Sequence, residues 1–385
     1  MASDAILIDG SHGEGGGQVL RNSISFAAIL RKAIKINNIR AGRSKPGLQA
    51  QHMTCLSLCT DIRGGSLNGC WLGSPEISYT PPTEDNTEIK IEFVGDTKTA
   101  GSICLVLQAA LPVALFSRTT PTDLILKGGT NATLAPQYDY WEEVFLPTLI
   151  SKCGFPIDLI EHQVVRRGYF PRGGGEAVIE VTPWRKPLPP IILIERGEVS
   201  SIRIHCYYAG TVSRMIAIEM AESAKRVLKD SGILVEPDID IFHEGDAIGS
   251  GCGILLVATT TTDCLLAGSA LCARNKSSID VGREAAEELV ATLRDGGCVD
   301  EWLQDQLILF MALGCGTSEM LTGSLTMHTR TAIWIAEQLS GAKFEVKRLE
   351  EGTGESDVDG YGKSGRIPGK HLIRCIGINF VNTIK

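Results

Sequence analysis

The chain of 385 residues exceeds one average domain of roughly 150 residues, so two or three domains, or one large domain with an insertion, are expected. A hydrophobic share of 43% against 21% charged residues supplies a sizeable core and excludes disorder, collagen and coiled coil as descriptions of the whole. The formal net charge of −8, with no long Lys/Arg run, argues against a general nucleic-acid coat but not against a site that grips one phosphate end with a few arginines.

No apolar run approaches the roughly 20 residues a membrane helix needs, and Met1-Ala2-Ser3-Asp4 lacks the regions of a signal peptide. A soluble intracellular protein, neither membrane-bound nor secreted, is expected. The 12 cysteines contain no C-x-x-C pair, and Cys55 and Cys59 stand at i,i+4 in an apolar stretch. Reduced core thiols are therefore expected in preference to zinc ligands or disulfides.

In chain order, a strand at 5–8 leads through a glycine loop at 9–17 into a helix at 18–31 and a strand at 34–39. A second helix at 48–61 stops at Gly64-Gly65, and strands follow near 76–80 and 88–94. The order then returns: a helix at 101–116, a strand at 123–126, a helix at 138–152, and strands near 164–167 and 177–181. A third copy runs from Trp302, with a helix to Leu313, a short segment at 320–322, a helix at 329–339 and strands at 344–349 and 372–378. Three copies at a spacing of about ninety residues read as an internal repeat.

Between the second and third copies, Pro183 to Pro190 is a proline-rich linker. Beyond it a strand at 201–208, a helix at 213–230, strands at 234–242 and 253–259 and a helix at 281–294 suggest a separate inserted α/β domain. The expected division is a core of 1–185 and 298–385 with an insert of 186–297. The stretch 351–370, rich in Gly, Ser, Asp and Glu, is expected to be a mobile loop.

The densest chemical signal is Asp9-Gly-Ser-His-Gly-Glu-Gly-Gly-Gly-Gln18, running into a helix. A glycine-rich turn at a helix start leaves backbone N–H groups free and aims a positive dipole end at an anion. It is neither a Walker A loop nor G-x-G-x-x-G. Glu14, a carboxylate inside such a loop, suits a divalent cation that escorts phosphates. Arg40, Arg43 and Lys45 follow the next strand, and the arginines, with Arg21, offer planar forks for phosphate oxygens. Among the histidines, His162, His205, His243 and His371 lack a partner motif, and His12 sits in the glycine loop without an assigned role. His328 opens a helix, where the dipole disfavours the protonated ring and keeps a lone pair available.

Glu14-Gly-Gly-Gly-Gln18 with Arg21, Arg40-Ala-Gly-Arg43-Ser-Lys-Pro-Gly-Leu, Lys127-Gly-Gly-Thr-Asn131, Arg172-Gly-Gly-Gly-Glu176, Asp305-Gln306 and His328-Thr together resemble the RNA 3′-terminal phosphate cyclases, in order and over essentially the whole chain. The resemblance implies an α/β (α+β) fold of three repeats, each of two helices on a four-stranded sheet, plus a smaller inserted α/β domain. It implies that His328 attacks the α-phosphorus of ATP to give a histidine–AMP adduct. The AMP then passes to an RNA 3′-phosphate, and the adjacent 2′-hydroxyl closes a 2′,3′-cyclic phosphate.

On the same resemblance Gln108, Pro136, Trp302, Asp305, Gln306 and His328 form the adenylate pocket. Arg21, Arg40, Arg43 and Gln51 form the essential polar set, and Glu14 binds the cation, Mg2+ or Mn2+. Trp302 departs from the tyrosine common in relatives, but either ring can stack on adenine. RNA ending in a 3′-phosphate is the implied partner, with no obligate protein partner. Nuclear residence is implied for a eukaryotic source and cytoplasmic residence otherwise. The insert is expected to be peripheral to nucleotide binding except at its C-terminal junction before Trp302. The first step is expected to weaken below about pH 6 if the His328 ring keeps its ordinary pKa of about 6.5. The rival readings are a non-catalytic, cyclase-like ribosome-assembly protein, which would lack the histidine, and an enolpyruvyl transferase, which leaves the insert unexplained.

Overall fold

The structure is a computed structural model that describes residues 5–84, 90–351 and 366–384. Most of the expected 351–370 loop, and the start of the strand expected at 88–94, lie outside the described residues.

The first repeat contains β1 (Ile6–Asp9), α1 (Gly17–Leu30), β2 (Ile34–Asn37), α2 (Ala50–Arg63), β3 (Ser66–Asn68) and β4 (Ile77–Thr80). Its sheet has the order β1-β2-β4-β3, with β1 parallel to β2 and the other pairs antiparallel. The second contains β5 (Glu92–Asp96), α3 (Ile103–Ser117), β6 (Thr122–Gly128), then α4 (Tyr138–Tyr140), a π-helical turn (Trp141–Phe145) and α5 (Leu146–Cys153), then β7 (Ile160–Arg166) and β8 (Gly175–Val181). Its order, β5-β6-β8-β7, is the same topology.

The third sheet is built from β9 (Ile192–Leu193), β14 (Thr317–Thr322), β16 (Lys343–Glu351) and β18 (Gly369–Ile376), in the order β16-β18-β14-β9. Read from β9, this is once more a parallel pair followed by two antiparallel pairs. Among the described residues each of these three repeat sheets therefore has four strands, one more than the strands recognised per copy in the sequence. Ile192–Leu193, which the sequence reading grouped with the insert, instead supplies the first strand of the third repeat. A two-residue strand carries no periodicity of its own, and only its pairing with Glu319 and Met320 identifies it.

Between β9 and the third repeat's helices, residues 199–295 form their own sheet. It comprises β10 (Val199–Ala209), β11 (Asp238–Glu244), β12 (Gly251–Thr260) and β13 (Leu265–Leu271), with α6 (Arg214–Asp230) and α7 (Ser278–Asp295) on one face. Strand β13 escaped the sequence reading, and with it a cross-strand pair. Cys252 lies opposite Cys272 in the β12–β13 ladder, and the two form a disulfide with Cα atoms 5.5 Å apart. The expectation that every cysteine is reduced is thus corrected. The pairing depends on a strand register that cysteine spacing does not reveal. The other cysteines are free thiols, most of them buried.

The third repeat's remaining elements are α8 (Glu301–Gln306), α9 (Ile308–Leu313), β15 (Leu325–Thr326), α10 (Met327–Ser340) and β17 (Arg366–Ile367). Strands such as β6 and β8 alternate buried and accessible positions, so each sheet turns one face to its helices. Helix α1 lies against α2, α3 and α10, and one hydrophobic cluster runs through all three repeats. As a result every residue of α1 from Gln18 to Ile29 is buried, including the polar Gln18, Arg21, Asn22, Ser23 and Ser25. A helix surrounded on all sides should be apolar all round. Its polar N-terminal turns mark the place where the core has been given to chemistry. Among the described residues no helix is long and apolar enough to cross a membrane.

Candidate active site

The glycine loop delivers the chain to α1 with Gly16 as N-cap and no side-chain cap, so the first N–H groups of the helix are left for a ligand. Bare backbone is required here. A Cβ on Gly16 would collide with Glu14 Oε1 and crowd Arg43 Nη2, and one on Gly17 would lie 2.8 Å from both Arg21 Nη1 and His52 Nε2. Four polar side chains, Glu14, Arg21, Arg43 and His52, therefore converge on this turn.

Arg21 is held from two sides. Its Nε donates to Gln108 Oε1 at 2.8 Å and its Nη2 to Gln18 Oε1 at 2.5 Å. Gln18 Nε2 in turn donates to Asp305 Oδ2 at 2.6 Å, and the Gln108 side chain also bonds Asp305. Two amides thus separate the guanidinium from the carboxylate, which fixes both groups without letting them neutralise each other directly. Burial pushes the Asp305 carboxyl up to about 6, against the pull of His328 and Arg21.

His328 lies in the first turn of α10, after the N-cap Thr326, whose hydroxyl accepts from the Thr329 N–H. Its Nδ1 stands 3.1 Å from Glu14 Oε2. With a proton on Nδ1 donated to that carboxylate, the neutral ring keeps its lone pair on Nε2, the nitrogen free to attack. The position at a helix start does not decide the charge preference of the ring. Burial does act to lower the His328 pKa, but the Glu14 hydrogen bond and the Asp305 and Glu14 charges outweigh it and raise the pKa above its ordinary value. Glu14 moves the opposite way: burial disfavours its charge, yet His328, Arg21 and Arg43 hold it below the usual carboxylate range.

Arg43 Nη2 donates to the Glu14 carbonyl at 2.9 Å and lies 3.6 Å from its carboxylate. Arg40 takes a left-handed backbone conformation, φ 54°, at the turn after β2, and its Nη2 donates to Lys45 O at 3.2 Å. Its Nε is buried with no hydrogen-bond partner among the described residues. Burial and the neighbouring Arg43 charge disfavour the guanidinium form of Arg40. A strained, under-bonded cation beside another cation is a place that favours an anion.

Gln108, Pro136, Trp302, Asp305, Gln306 and His328 all line one shallow hollow of about 40 Å³, together with Arg21. Every residue that the resemblance gave to the adenylate pocket is brought to one place. Gln51 is not at this hollow. Its amide oxygen accepts from the Ser102 N–H at 2.9 Å and anchors the start of α3.

Three residues were not singled out from sequence. Gln18 stands within a motif without a role of its own, and His52 carries no motif. His52 Nδ1 accepts from the Gln49 N–H at 3.2 Å, leaving the proton on Nε2 over Gly17. Burial, Arg21 and Arg40 push its pKa down to about 3, so it is a neutral donor. The available signal for Gln18 was its place one turn before Arg21 on the same helix face; for His52 it was the capping position at the start of α2. Glu288 belongs to the insert, yet its Oε1 accepts from Trp302 Nε1 at 3.1 Å, so α7 positions the ring at the hollow.

Among the described residues no group of three or more His, Cys, Asp or Glu is placed to hold a metal ion. Glu14 alone fits the kind of cation bound through one carboxylate and a substrate's phosphates, not an all-protein cage.

The family model for the RNA 3′-terminal phosphate cyclases matches residues 12–346. The chain is 39% identical to an RNA 3′-terminal phosphate cyclase of Drosophila melanogaster, with 100% of this chain and 99% of the relative covered. It is 37% identical to those of Pyrobaculum neutrophilum and Pyrococcus furiosus, in each case over 89% of this chain and 95% of the relative. With this three-repeat fold, the chain belongs to the RNA 3′-terminal phosphate cyclase family.

Proposed function

We propose that this protein converts an RNA 3′-terminal phosphate to a 2′,3′-cyclic phosphodiester at the expense of ATP, through an adduct of AMP on His328. The observation that carries the reading is the His328 ring, bound at Nδ1 by Glu14 and set at the rim of the hollow that Arg21, Asp305 and Trp302 share.

In the first step Nε2 of His328 attacks the α-phosphorus of ATP; the P–N bond forms and the bond to diphosphate breaks. Trp302 and Pro136 would flank the adenine, while Arg21, Arg43 and the free N–H groups of α1 receive phosphate charge. An RNA 3′-phosphate oxygen then displaces the histidine and takes the AMP. The neighbouring 2′-hydroxyl loses its proton, attacks the 3′-phosphorus and expels AMP. Splitting one difficult displacement into three, each with a good leaving group, is covalent catalysis. A divalent cation, Mg2+ or Mn2+, held at Glu14 would neutralise charge on the substrate phosphates.

Intact-mass measurement after incubation with ATP and magnesium tests the reading. An added AMP that maps to His328, and that transfers to RNA ending in a 3′-phosphate but not in a 3′-hydroxyl, is the expected result. An adduct on a lysine, or none, overturns it. Nuclear residence for a eukaryotic source belongs to the same proposal and is checked by imaging the tagged protein.

A further inference from the structure

A groove of about 670 Å³ opens beside the glycine loop on the side of α10 away from the adenylate hollow. That volume falls in the range of ligand sites, roughly 300–1,000 Å³. Met327, Arg330, Thr331 and Trp334 form a stripe along α10 that lines it, with His12 of the glycine loop and Arg348 of β16. Three observations bear on its occupant.

The groove is continuous with the candidate site: Gly13 lines it, and the next residue, Glu14, binds the His328 ring. It contains an aromatic platform: the His12 and Trp334 rings are stacked with centroids 3.8 Å apart and planes 16° apart, although His12 is exposed. Among the described residues its lining is also basic, in a chain of net charge −8: Arg330 and Arg348 stand with one carboxylate, Glu337, which is engaged by the Phe344 N–H at 3.0 Å. Another hollow next to the adenylate site, of about 90 Å³, has the opposite character: among the described residues Glu288, Asp295, Asp300 and Glu301 line it with Arg366, which pairs with Glu301.

We infer that this groove holds the nucleotides immediately 5′ of the phosphate-bearing RNA end, with a base stacked on the His12–Trp334 platform and backbone phosphates against Arg330 and Arg348. The inference rests on the proposed function, since it takes the RNA 3′-phosphate to lie over the loop that carries Glu14. A strand whose end lies there passes His12 as it leaves, and the acidic hollow repels it. Stacking on an aromatic platform tolerates any base, so this subsite gives affinity and length preference without a sequence code.

The test separates RNA binding from chemistry. Fluorescence anisotropy with a 5′-labelled RNA decamer ending in a 3′-phosphate should show about tenfold weaker binding for Trp334→Ala, with Trp334→Phe close to wild type. Arg348→Ala, at an exposed position, should lower the salt slope of binding by about 0.7, the share of one phosphate on a single strand. Binding of a nucleoside 3′,5′-bisphosphate, which has no upstream nucleotide, should be unchanged in these variants. A thiouridine one nucleotide before the phosphate should cross-link, in wild-type protein, to a peptide containing His12 or Trp334. Unchanged decamer binding, an equal loss with the bisphosphate, or a cross-link to the insert would overturn the groove. AMP attachment from ATP alone is measured on the same samples. Its absence with groove-dependent RNA binding intact removes the proposed chemistry and leaves the groove standing; its presence with groove variants binding RNA normally does the reverse.

Discussion

Two polar networks in this molecule are built from similar parts and end differently. Where the second repeat meets the insert, Arg167 binds Asp139 through two nitrogens at 2.7 and 3.1 Å, and its Nε reaches Glu244 at 3.2 Å. His205 lies 3.3 Å from Glu143 and 3.5 Å from Asp139, and Asn131 fills the remaining side of Asp139 at 3.0 Å. Each charge there faces an opposite charge directly. At the start of α1 the same ingredients are arginine, histidine and two carboxylates, but amides stand between Arg21 and Asp305, and Arg21 Nη1 and His52 Nε2 are turned toward bare glycine. A closed network spends its charges on one another and serves as a joint. An open one keeps donors aimed at a place where a phosphate can arrive.

The comparison breaks most sharply at the histidine. His328→Ala should abolish AMP attachment while the circular dichroism spectrum and melting temperature stay near wild type, because the side chain is 46% exposed at a helix start. Retained labelling would remove the open network's central member. In the closed network the outcome should invert. Arg167→Met leaves Asp139 buried without its partner and should cost about 3–5 kcal/mol in denaturant unfolding, with AMP attachment per folded molecule preserved.

A smaller effect is expected from Arg43→Lys, which keeps the charge but loses the fork. Cyclisation should fall by the equivalent of about 1.5–3 kcal/mol, read from kcat/KM for RNA. Unchanged turnover would place Arg43 outside the site.

The pH profiles then sharpen the contrast. Both histidines are raised by carboxylates, despite burial that acts to lower them. For His205 the raised folded value contributes stability that is fully present below about pH 6.5 and is lost as pH rises through the folded pKa. Asp139 is held low by Arg167 and His205 against the opposing effect of burial, and its contribution is lost as pH falls below the usual carboxylate range. Unfolding free energy in His205→Asn should accordingly lose part of its alkaline decline. On the proposed mechanism the neutral His328 ring reacts, so AMP attachment should rise with pH along a limb centred above about 6.5. The sequence alone put that weakening below about pH 6. A limb at or below the ordinary value would show that Glu14 does not raise the ring's pKa during the reaction, as when a cation occupies that carboxylate. The smallest change is expected at Glu288→Ala, which releases the Trp302 indole. KM for ATP should rise a few-fold with kcat nearly unchanged.

Much of this was legible in the chain. The glycine loop, the arginine turn after β2 and the start of α10 are local patterns, each contained in about a dozen residues, and local backbone chemistry dictates them. Gln108, Pro136, Trp302, Asp305 and Gln306, which line one hollow, are proposed site residues only because an ordered set of motifs resembles a family. Nothing in their own neighbourhoods marks them. The closed network shows the limit from the other side. His205 was set aside for want of a partner motif, and its partners, Asp139 and Glu143, lie more than sixty residues earlier in the chain.

The repeated order of helices and strands, the loop that leaves helix N–H groups free, and the histidine at a helix start all follow from local residue patterns. That Ile192–Leu193 completes the third sheet and that Cys252 meets Cys272 follows from packing alone. Packing also decided that Glu14 binds His328 and reverses the sign of its pKa shift. The physical reason is separation along the chain. Gln18 and Asp305 are 287 residues apart, and their hydrogen bond exists because α1 is enclosed by helices from all three repeats. Periodicity tells a helix which face to bury, but the partner that enters its polar turn is chosen by packing.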